Sequence, residues 1–310
     1  MRAGAAFVVM GIAAVVLAGS PARAGSLEPP GPPAPTMKTM DQVEPRIPVE
    51  SLPSSGLAYK VINSPGSYYL SATMYVPSGL HGIHIVNPGG PVTLDLRGFA
   101  VVGLGADGLG KSGSYVSNAT TLVIKNGAVH KWDSYAVQAA VPSVTVEDLR
   151  VSQSNLGIIV GSHGIIRRAM VSNCNYAIVG ALGATVLDSV IDQTGLGIQI
   201  DYSGHVEGCT ITNAQESAIQ LYMDGLARGN TFRDGNAIVV TGNHNTVDGN
   251  TCRNTGPCVT AQSGTGNLVI RNISVGNPTA NDFWVIPGNT VGPVTSDVTT
   301  ANPWANLVVD

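Results

Sequence analysis

Aliphatic residues return at a nearly fixed interval along most of this chain. The windows IRRAMVSNCNYAIVGAL, VLDSVIDQTGLGIQIDY and VEGCTITNAQESAIQLYM place Val or Ile at corresponding positions about twenty residues apart. Three columns can be followed through successive windows. The first contains Leu96, Ile124, Val146, Ile166, Val186, Val206, Leu226 or Ala227, Val247 and Ile270; the second contains Val101, Val129, Val151, Val171, Ile191, Ile211, Phe232, Cys252 and Val275; the third contains Val137, Ile158, Ile178, Ile198, Ile219, Ile238 and Val259.

Alternation within one window indicates which side chains point inward. In GIQIDY, Ile198 and Ile200 share one side of an extended strand, whereas Gln199 and Asp201 share the other. The next window repeats this pattern in AIQLYM. Strands that repeat at a fixed period must lie one above another, because a single window cannot bury its own aliphatic edge. We therefore predict a core of stacked strands with the polar side chains outside.

A bend position separates the first two columns, and it favours residues that accept a positive φ. Gly, Asn or Asp fills eight of its nine places. These places are Gly98, Asn126, Asp148, Arg168, Asp188, Gly208, Gly229, Gly249 and Asn272. Short strands, such bends and a period of about twenty residues predict an all-β fold, a single-stranded parallel β-helix with N- and C-terminal caps.

The chain divides into five predicted segments. Residues 1–24 read as a secretory signal peptide, with Arg2, an apolar run and a small-residue site that ends at Ala24. Residues 25–45 are a Pro-rich tether, 46–90 an N-terminal cap, 91–276 the parallel β-helix and 277–310 a C-terminal cap. A secreted, periplasmic or extracellular location follows, with no membrane span after the signal is cleaved.

Charge argues against nucleic acid as a partner. The whole chain has a net charge of −4, and cleavage after Ala24 removes two arginines and no acid, so the mature protein has 14 basic and 20 acidic residues, or −6. Nucleic-acid-binding surfaces are basic. The low share of charged residues, 12%, also suits short strands and turns better than helices.

The four cysteines differ in their predicted environments. Cys252 replaces an inward aliphatic residue, and Cys258 stands where other windows have Gly or Ala, at the other end of the same corner. We predict a disulfide between them, because an exported protein meets an oxidising environment. Cys209 reads as a small buried residue, whereas Cys174 has no assigned partner. The sequence contains no spacing of Cys and His that predicts a zinc site.

The chain resembles the right-handed parallel β-helix superfamily, which includes pectate-lyase-like proteins. The rungs of residues 91–276 carry this resemblance. The stretches INSPGSYYL, VTLDLRGFAVVG and LVIKNGAVHKW are further similar to exported bacterial β-helix-repeat proteins of unassigned activity. The resemblance implies a right-handed coil. The catalytic motifs of polygalacturonase-like and alginate-epimerase-like members are missing, so no catalytic residue is transferred.

Outward side chains of two neighbouring windows form the candidate site. Amides, carboxylates and aromatic rings recognise sugar hydroxyls and sugar faces, and His or Tyr can act as an acid or base. The candidate catalytic residues are Asp201, Tyr202 and His205, and the candidate substrate-binding residues are Gln199, Gln220, Tyr222 and Asp224. A second face carries Arg150, Asp192, Arg233 and Arg253, with His130 on an earlier rung, and is the next choice.

These observations predict a secreted, glycan-directed β-helix protein. One hypothesis is a polysaccharide lyase or epimerase that acts on uronate-containing chains, and the alternative is a non-catalytic binding or structural module of the cell surface or matrix. The expected partner is a polysaccharide or cell-surface glycan. No cofactor is evident, and calcium is an option that no motif supports. The sequence leaves the oligomeric state open.

Overall fold

The computed structural model describes residues 46–103, 112–119, 121–277, 282–299 and 301–309. The predicted signal peptide and the whole of the predicted tether lie outside these ranges. None of the helical structure within them is long and apolar enough to cross a membrane.

The described residues form a right-handed parallel β-solenoid, as predicted. It has about 11 coils that repeat about every 21 residues. Each coil contributes strands to three sheets, whose outer surfaces we call faces A, B and C. In the coil that begins at Thr185, face A is residues 185–187, face B is residues 190–192 and face C is residues 198–201. Residues in register with these in other coils belong to the same face.

The described residues contain twenty-eight strands and one short 3-10 helix, Val49–Ser51. The N-terminal strands are β1 Ile47–Pro48, β2 Ala58–Ile62, β3 Gly66–Tyr69, β4 Met74–Val76, β5 His81–Val86, β6 Val92–Asp95, β7 Ala100–Gly103 and β8 Ser114–Asn118. The central strands are β9 Leu122–Ala139, β10 Val144–Val160, β11 Ile165–Arg167, β12 Met170–Gly180, β13 Thr185–Leu187, β14 Val190–Tyr202, β15 His205–Glu207, β16 Thr210–Met223, β17 Leu226–Arg228 and β18 Thr231–Gly235. The C-terminal strands are β19 Ile238–Val240, β20 Thr246–Asp248, β21 Thr251–Thr255, β22 Val259–Ala261, β23 Leu268–Ile270, β24 Ile273–Val275, β25 Phe283–Val285, β26 Thr290–Val291, β27 Val294–Thr295 and β28 Asn306–Val309.

The aliphatic columns stack inside the solenoid. The third column is confirmed along its whole length, from Val137 to Val259, in continuous parallel register. Ile198, Ile219 and Ile238 are at most 1% exposed. Each buried aliphatic side chain stabilises the fold by roughly 1.5–3 kcal/mol. The repeated pattern therefore reflects one continuous core.

Three column members were predicted one or two residues from their true places. Leu94, not Leu96, pairs with Ile124. Val269, not Ile270, follows Val247, and Ser274, not Val275, follows Cys252. The last two errors have one cause, because the predicted columns step by 23 residues there, whereas the coils are 22 residues apart.

Each coil turns at three corners, and a residue with positive φ lies at each corner of the central coils. Corner 1, between faces A and B, is the predicted bend position. Eight of its nine predicted residues have positive φ, and in the ninth coil Arg271 takes the place predicted for Asn272. Corner 2, between faces B and C, contains Lys131, Gln153, Asn173, Gln193, Asn213, Asp234, Asn254 and Gly276. Corner 3, before the next coil, contains Ser143, His163, Gly183, Ser203, Asp224, His244, Gly266 and Gly288.

The predicted disulfide joins Cys252 and Cys258 across corner 2. Closing so short a loop stabilises a protein by about 2 kcal/mol on the loop-entropy estimate. Cys209 is buried, as predicted, and burial raises the pKa of its thiol to about 11. Cys174 is also buried, and its Sγ lies 3.4 Å from the Ser172 carbonyl oxygen.

Two ladders of asparagines support the C-terminal coils. At corner 1, the Oδ1 atoms of Asn250, Asn272 and Asn306 each accept hydrogen bonds from the backbone N–H and the side-chain amide of the asparagine one coil earlier. This ladder, which we call the corner 1 ladder, is Asn230, Asn250, Asn272 and Asn306. A second ladder at corner 3 is Asn245, Asn267 and Asn289. These groups would otherwise be unpaired inside the solenoid, because the corners interrupt the strands.

The segments predicted as caps contain strands of the same sheets. In residues 46–90, β2 pairs in parallel with β5, and β3 pairs in parallel with β6 of the central segment. In residues 277–310, β25 and β28 pair in parallel with β22 and β24 of the central segment. The strand ladders are thus continuous with those of residues 91–276.

Candidate functional site

Four of the predicted site residues share face C. Gln199 and Gln220 are in register one coil apart. Asp201 lies opposite Tyr222, since the flanking pairs Ile200–Leu221 and Tyr202–Met223 are in register. The Gln199 amide donates a hydrogen bond of 3.2 Å to Asp201 Oδ1. Alternation places all four outside because their neighbours Ile198 and Ile219 fill the core.

The other three predicted residues lie at or beyond corner 3. Tyr202 ends β14 and is 50% exposed. Asp224 is the corner residue of its coil, with φ of 54°, and its Oδ1 lies 3.5 Å from His244 Nδ1. His205 belongs to β15 on face A, where its Nε2 lies 3.1 Å from Glu207 Oε2 without the geometry of a hydrogen bond. The structure therefore separates His205 from Asp201 by a corner.

The row of Gln199 continues toward the C-terminus. Gln220, Val239, Thr260 and Trp284 follow it in register. Trp284 is 51% exposed, so an aromatic ring stands on the same row three coils beyond Gln220. Sequence reasoning missed Trp284 because residues 277–310 were assigned to a cap. The alternation of Phe283, Trp284 and Val285 was the available signal.

An aromatic cluster occupies the opposite end of this row. His84 and Tyr115 are in register on face C, and their rings stack with centroids 4.8 Å apart. His81 stacks on the same tyrosine at 4.5 Å. His84 Nε2 lies 3.1 Å from Ser117 Oγ, and burial lowers the pKa of this histidine. Sequence reasoning did not select these residues.

Face A and the adjoining corner 1 carry charges that are paired between coils. The Arg167 Nε–H donates to Glu147 Oε2 at 2.7 Å, and Arg168 binds Asp148 through two hydrogen bonds of 2.7 and 2.8 Å. The Arg168 hydrogen bond lowers the pKa of the Asp148 carboxyl. An arginine beside an acid one coil away is the ordinary arrangement on this face, and it resembles a solvated structural surface.

Face B differs from face A in its charges. Asp192 accepts hydrogen bonds from the Thr212 hydroxyl and, at 2.9 Å, from the Asn213 amide. The Thr212 bond, followed by the Asn213 bond, lowers the pKa of Asp192, although burial opposes this. Arg233 and Arg253 follow Thr212 on the same row. Arg150 belongs to a neighbouring row, in register with Met170.

Metal-binding side chains do not gather in the described ranges. No three His, Cys, Asp or Glu residues there are placed to hold one ion. The Asp224–His244 pair at corner 3 supplies only two possible ligands.

A sequence profile described as a right-handed β-helix region matches residues 110–275, which is more than half of the chain. The chain belongs to this family. No curated protein matches the β-helix chain by sequence.

Two solved structures are similar to this β-helix chain. One is XylC in complex with xylose, at 13% identity and a TM-score of 0.37, covering 69% of this chain and 38% of XylC. This chain therefore spans well under half the length of XylC. The other is the DFA-IIIase from Arthrobacter chlorophenolicus A6, without its lid and in complex with GF2. It has 14% identity and a TM-score of 0.35, and covers 85% of this chain and 98% of the enzyme.

Proposed function

We propose that this β-helix protein binds a polysaccharide or cell-surface glycan that lies along the solenoid axis over face C. The observation that carries the proposal is the register of Gln199 with Gln220 and of Asp201 with Tyr222. Neighbouring strands are about 4.8 Å apart, a distance close to the length of one sugar residue. A linear glycan along the axis would therefore present about one sugar to each coil.

The chemistry of the row suits a sugar chain. The Gln199 and Gln220 amides offer donors and acceptors to hydroxyl groups, and the Asp201 carboxylate accepts hydrogen bonds. Tyr222 and Trp284 are 38% and 51% exposed. Such partly exposed rings provide an apolar surface together with a polar group, which fits the two kinds of surface on a sugar.

Replacing Tyr222 by alanine tests this proposal. We expect glycan affinity, measured by isothermal titration calorimetry with a panel of oligosaccharides, to fall by at least about tenfold, which corresponds to roughly 1.4 kcal/mol. Thermal stability should change little because the side chain lies outside the core. Tyr75→Ala is the matched control, since Tyr75 is 60% exposed on a distant coil. Equal affinity in the wild type and in a Gln199→Ala, Gln220→Ala, Tyr222→Ala variant would place binding elsewhere.

The lyase or epimerase hypothesis stays a prediction within this proposal. A lyase base removes the C5 proton of a uronate while the C4–oxygen bond breaks, which leaves an unsaturated sugar. An epimerase instead returns a proton to the other side of C5. Ultraviolet absorbance of the unsaturated product separates catalysis from binding, and loss of turnover in Asp201→Asn, Tyr202→Phe or His205→Gln would assign the acid–base group. Binding without product supports the non-catalytic alternative.

We also propose that the chain is exported. The apolar N-terminal run with Ala24 before the cleavage point and the Cys252–Cys258 disulfide support this. Expressed in a bacterial host, the protein should appear outside the cytoplasm with Gly25 as its first residue, by N-terminal sequencing. A full-length cytoplasmic protein that begins at Met1 would contradict the proposal.

A further inference from the structure

Two arginines stand side by side on face B with no acid to pair with. Arg233 and Arg253 are in register one coil apart, and both are exposed. In the part of the chain that the structure describes, neither side chain forms an ion pair or a hydrogen bond. Like charges directly opposite each other on neighbouring strands destabilise a sheet. The pair therefore has an energetic cost that no contact within the protein offsets.

Face A and the adjoining corner 1 show that this solenoid can readily avoid such a cost. There Arg167, Arg168, Arg228 and Arg271 each lie beside a carboxylate of an adjacent coil. The residues in register on either side of the arginine pair are Thr212 and Val275, which carry no charge. The arginine pair is thus a local exception to the pattern of its own fold.

An open cleft lies next to the pair at corner 2. It has a volume of about 540 Å³ and extends over three successive coils. Arg233 and Arg253 directly precede two of its lining segments, residues 234–236 and 254–256. Its polar lining side chains are Asn213, Gln215, Asp234, Asn236, Asn254 and Thr255. The cleft therefore runs along the solenoid axis, with hydrogen-bonding groups on each coil.

Other charges near this site are few. Asp192 is two coils away on the same row and is held by Thr212 and Asn213. Asp234 and Glu216 are exposed acids of corner 2, and neither forms an ion pair with the arginines. Both arginine forks are thus available to a ligand.

We propose that the Arg233–Arg253 pair and the corner 2 cleft bind an acidic glycan, with the arginines holding carboxylates of consecutive uronate residues. A guanidinium binds a carboxylate through two parallel hydrogen bonds. The coil spacing of about 4.8 Å lets adjacent arginines meet adjacent sugars, and the amides of the cleft meet hydroxyl groups. This site lies on a different face from the Gln199 row and names the acidic class of glycan, so it stands without the row of face C.

Substituting both arginines tests the proposal. The Arg233→Gln, Arg253→Gln variant should bind oligogalacturonate and oligomannuronate at least about tenfold more weakly than the wild type, because it loses the charge-assisted hydrogen bonds from both guanidinium groups. The Arg233→Lys, Arg253→Lys variant should show an intermediate loss, since lysine keeps the charge but lacks the planar fork. Lys131→Gln is the control, because Lys131 is an exposed cation at corner 2 of a distant coil.

A second readout separates binding from structure. Without ligand, the double glutamine variant should unfold at the same or a higher temperature, since it removes like-charge repulsion. A lower melting temperature would show that the arginines stabilise the fold, which would overturn the inference. Unchanged affinity in the double variant, or no binding of either acidic oligosaccharide by the wild type, would overturn it too.

The two binding proposals fail independently. The double glutamine variant should bind neutral oligosaccharides of equal length as the wild type does, whereas Tyr222→Ala should bind them more weakly. Loss of acidic oligosaccharides in the arginine variant together with an unaffected Tyr222→Ala variant would sustain the corner 2 site alone. The reverse result would sustain the face C row alone.

Discussion

Replacing Asn250 by alanine is expected to lower the free energy of unfolding by about 3 kcal/mol. Asn250 is fully buried in the corner 1 ladder. Its Oδ1 accepts hydrogen bonds of 2.9 Å from both the backbone N–H and the side-chain amide of Asn230. Its own amide donates to Asn272 Oδ1 and to the Ala227 carbonyl oxygen. Alanine leaves several of these groups buried without partners, and each such group costs about 1–3 kcal/mol.

Urea denaturation measures this effect, with Asn63→Ala as the control. Asn63 is exposed, and its Oδ1 accepts a hydrogen bond of 3.4 Å from the Ser64 hydroxyl. An exposed substitution of this kind changes stability by no more than about 0.5 kcal/mol. If Asn250→Ala were as stable as Asn63→Ala, the ladder would contribute nothing to the C-terminal coils.

The interior of the solenoid could be predicted from the sequence because period and alternation act together. A strand of alternating Ile and Gln has only one register that buries every Ile, so the column through Ile198 and Ile219 is strongly specified. The prediction failed where a coil gained residues, as between Val247 and Val269. Added length falls in the corners, which lie outside the strand pattern, and it shifts every later assignment by the same amount.

The asparagine ladders were missed for a related reason. Asn residues at corners were interpreted as turn residues, and Asn272 was placed at the bend itself. In the structure Arg271 adopts the positive φ, and Asn272 lies one residue later, fully buried. The signal was present in the spacing of Asn230, Asn250 and Asn272, which matches the coil period. Recognising it requires the knowledge that an amide can pair with its own kind one coil away.

The candidate site was harder to predict because outward positions have no core to constrain them. The sequence placed Gln199 beside Gln220 correctly, since both belong to strands of known alternation. His205 was grouped with these residues because the residue pattern does not reveal that the chain changes face at the Ser203 corner. The Arg233–Arg253 pair was visible in the sequence, but the uncharged residues in register on either side of it, Thr212 and Val275, could be identified only from the structure.

The inward and outward positions of a single strand provide the last test. Replacing Ile219 by alanine should lower the free energy of unfolding by about 2–5 kcal/mol, because it removes buried methyl groups and leaves a cavity. Ile219 is fully buried and stacks between Ile198 and Ile238. The next residue, Gln220, is its matched control, since Gln220→Ala removes a partly exposed side chain and should change stability by no more than about 0.5 kcal/mol. The face C proposal further expects Gln220→Ala to weaken glycan binding. Ile219→Ala, measured where it remains folded, should bind glycan as the wild type does, because the Ile219 side chain faces the core and the Gln220 amide faces the ligand. Equal destabilisation by both substitutions would contradict the alternation on which the assignment of core and binding face depends.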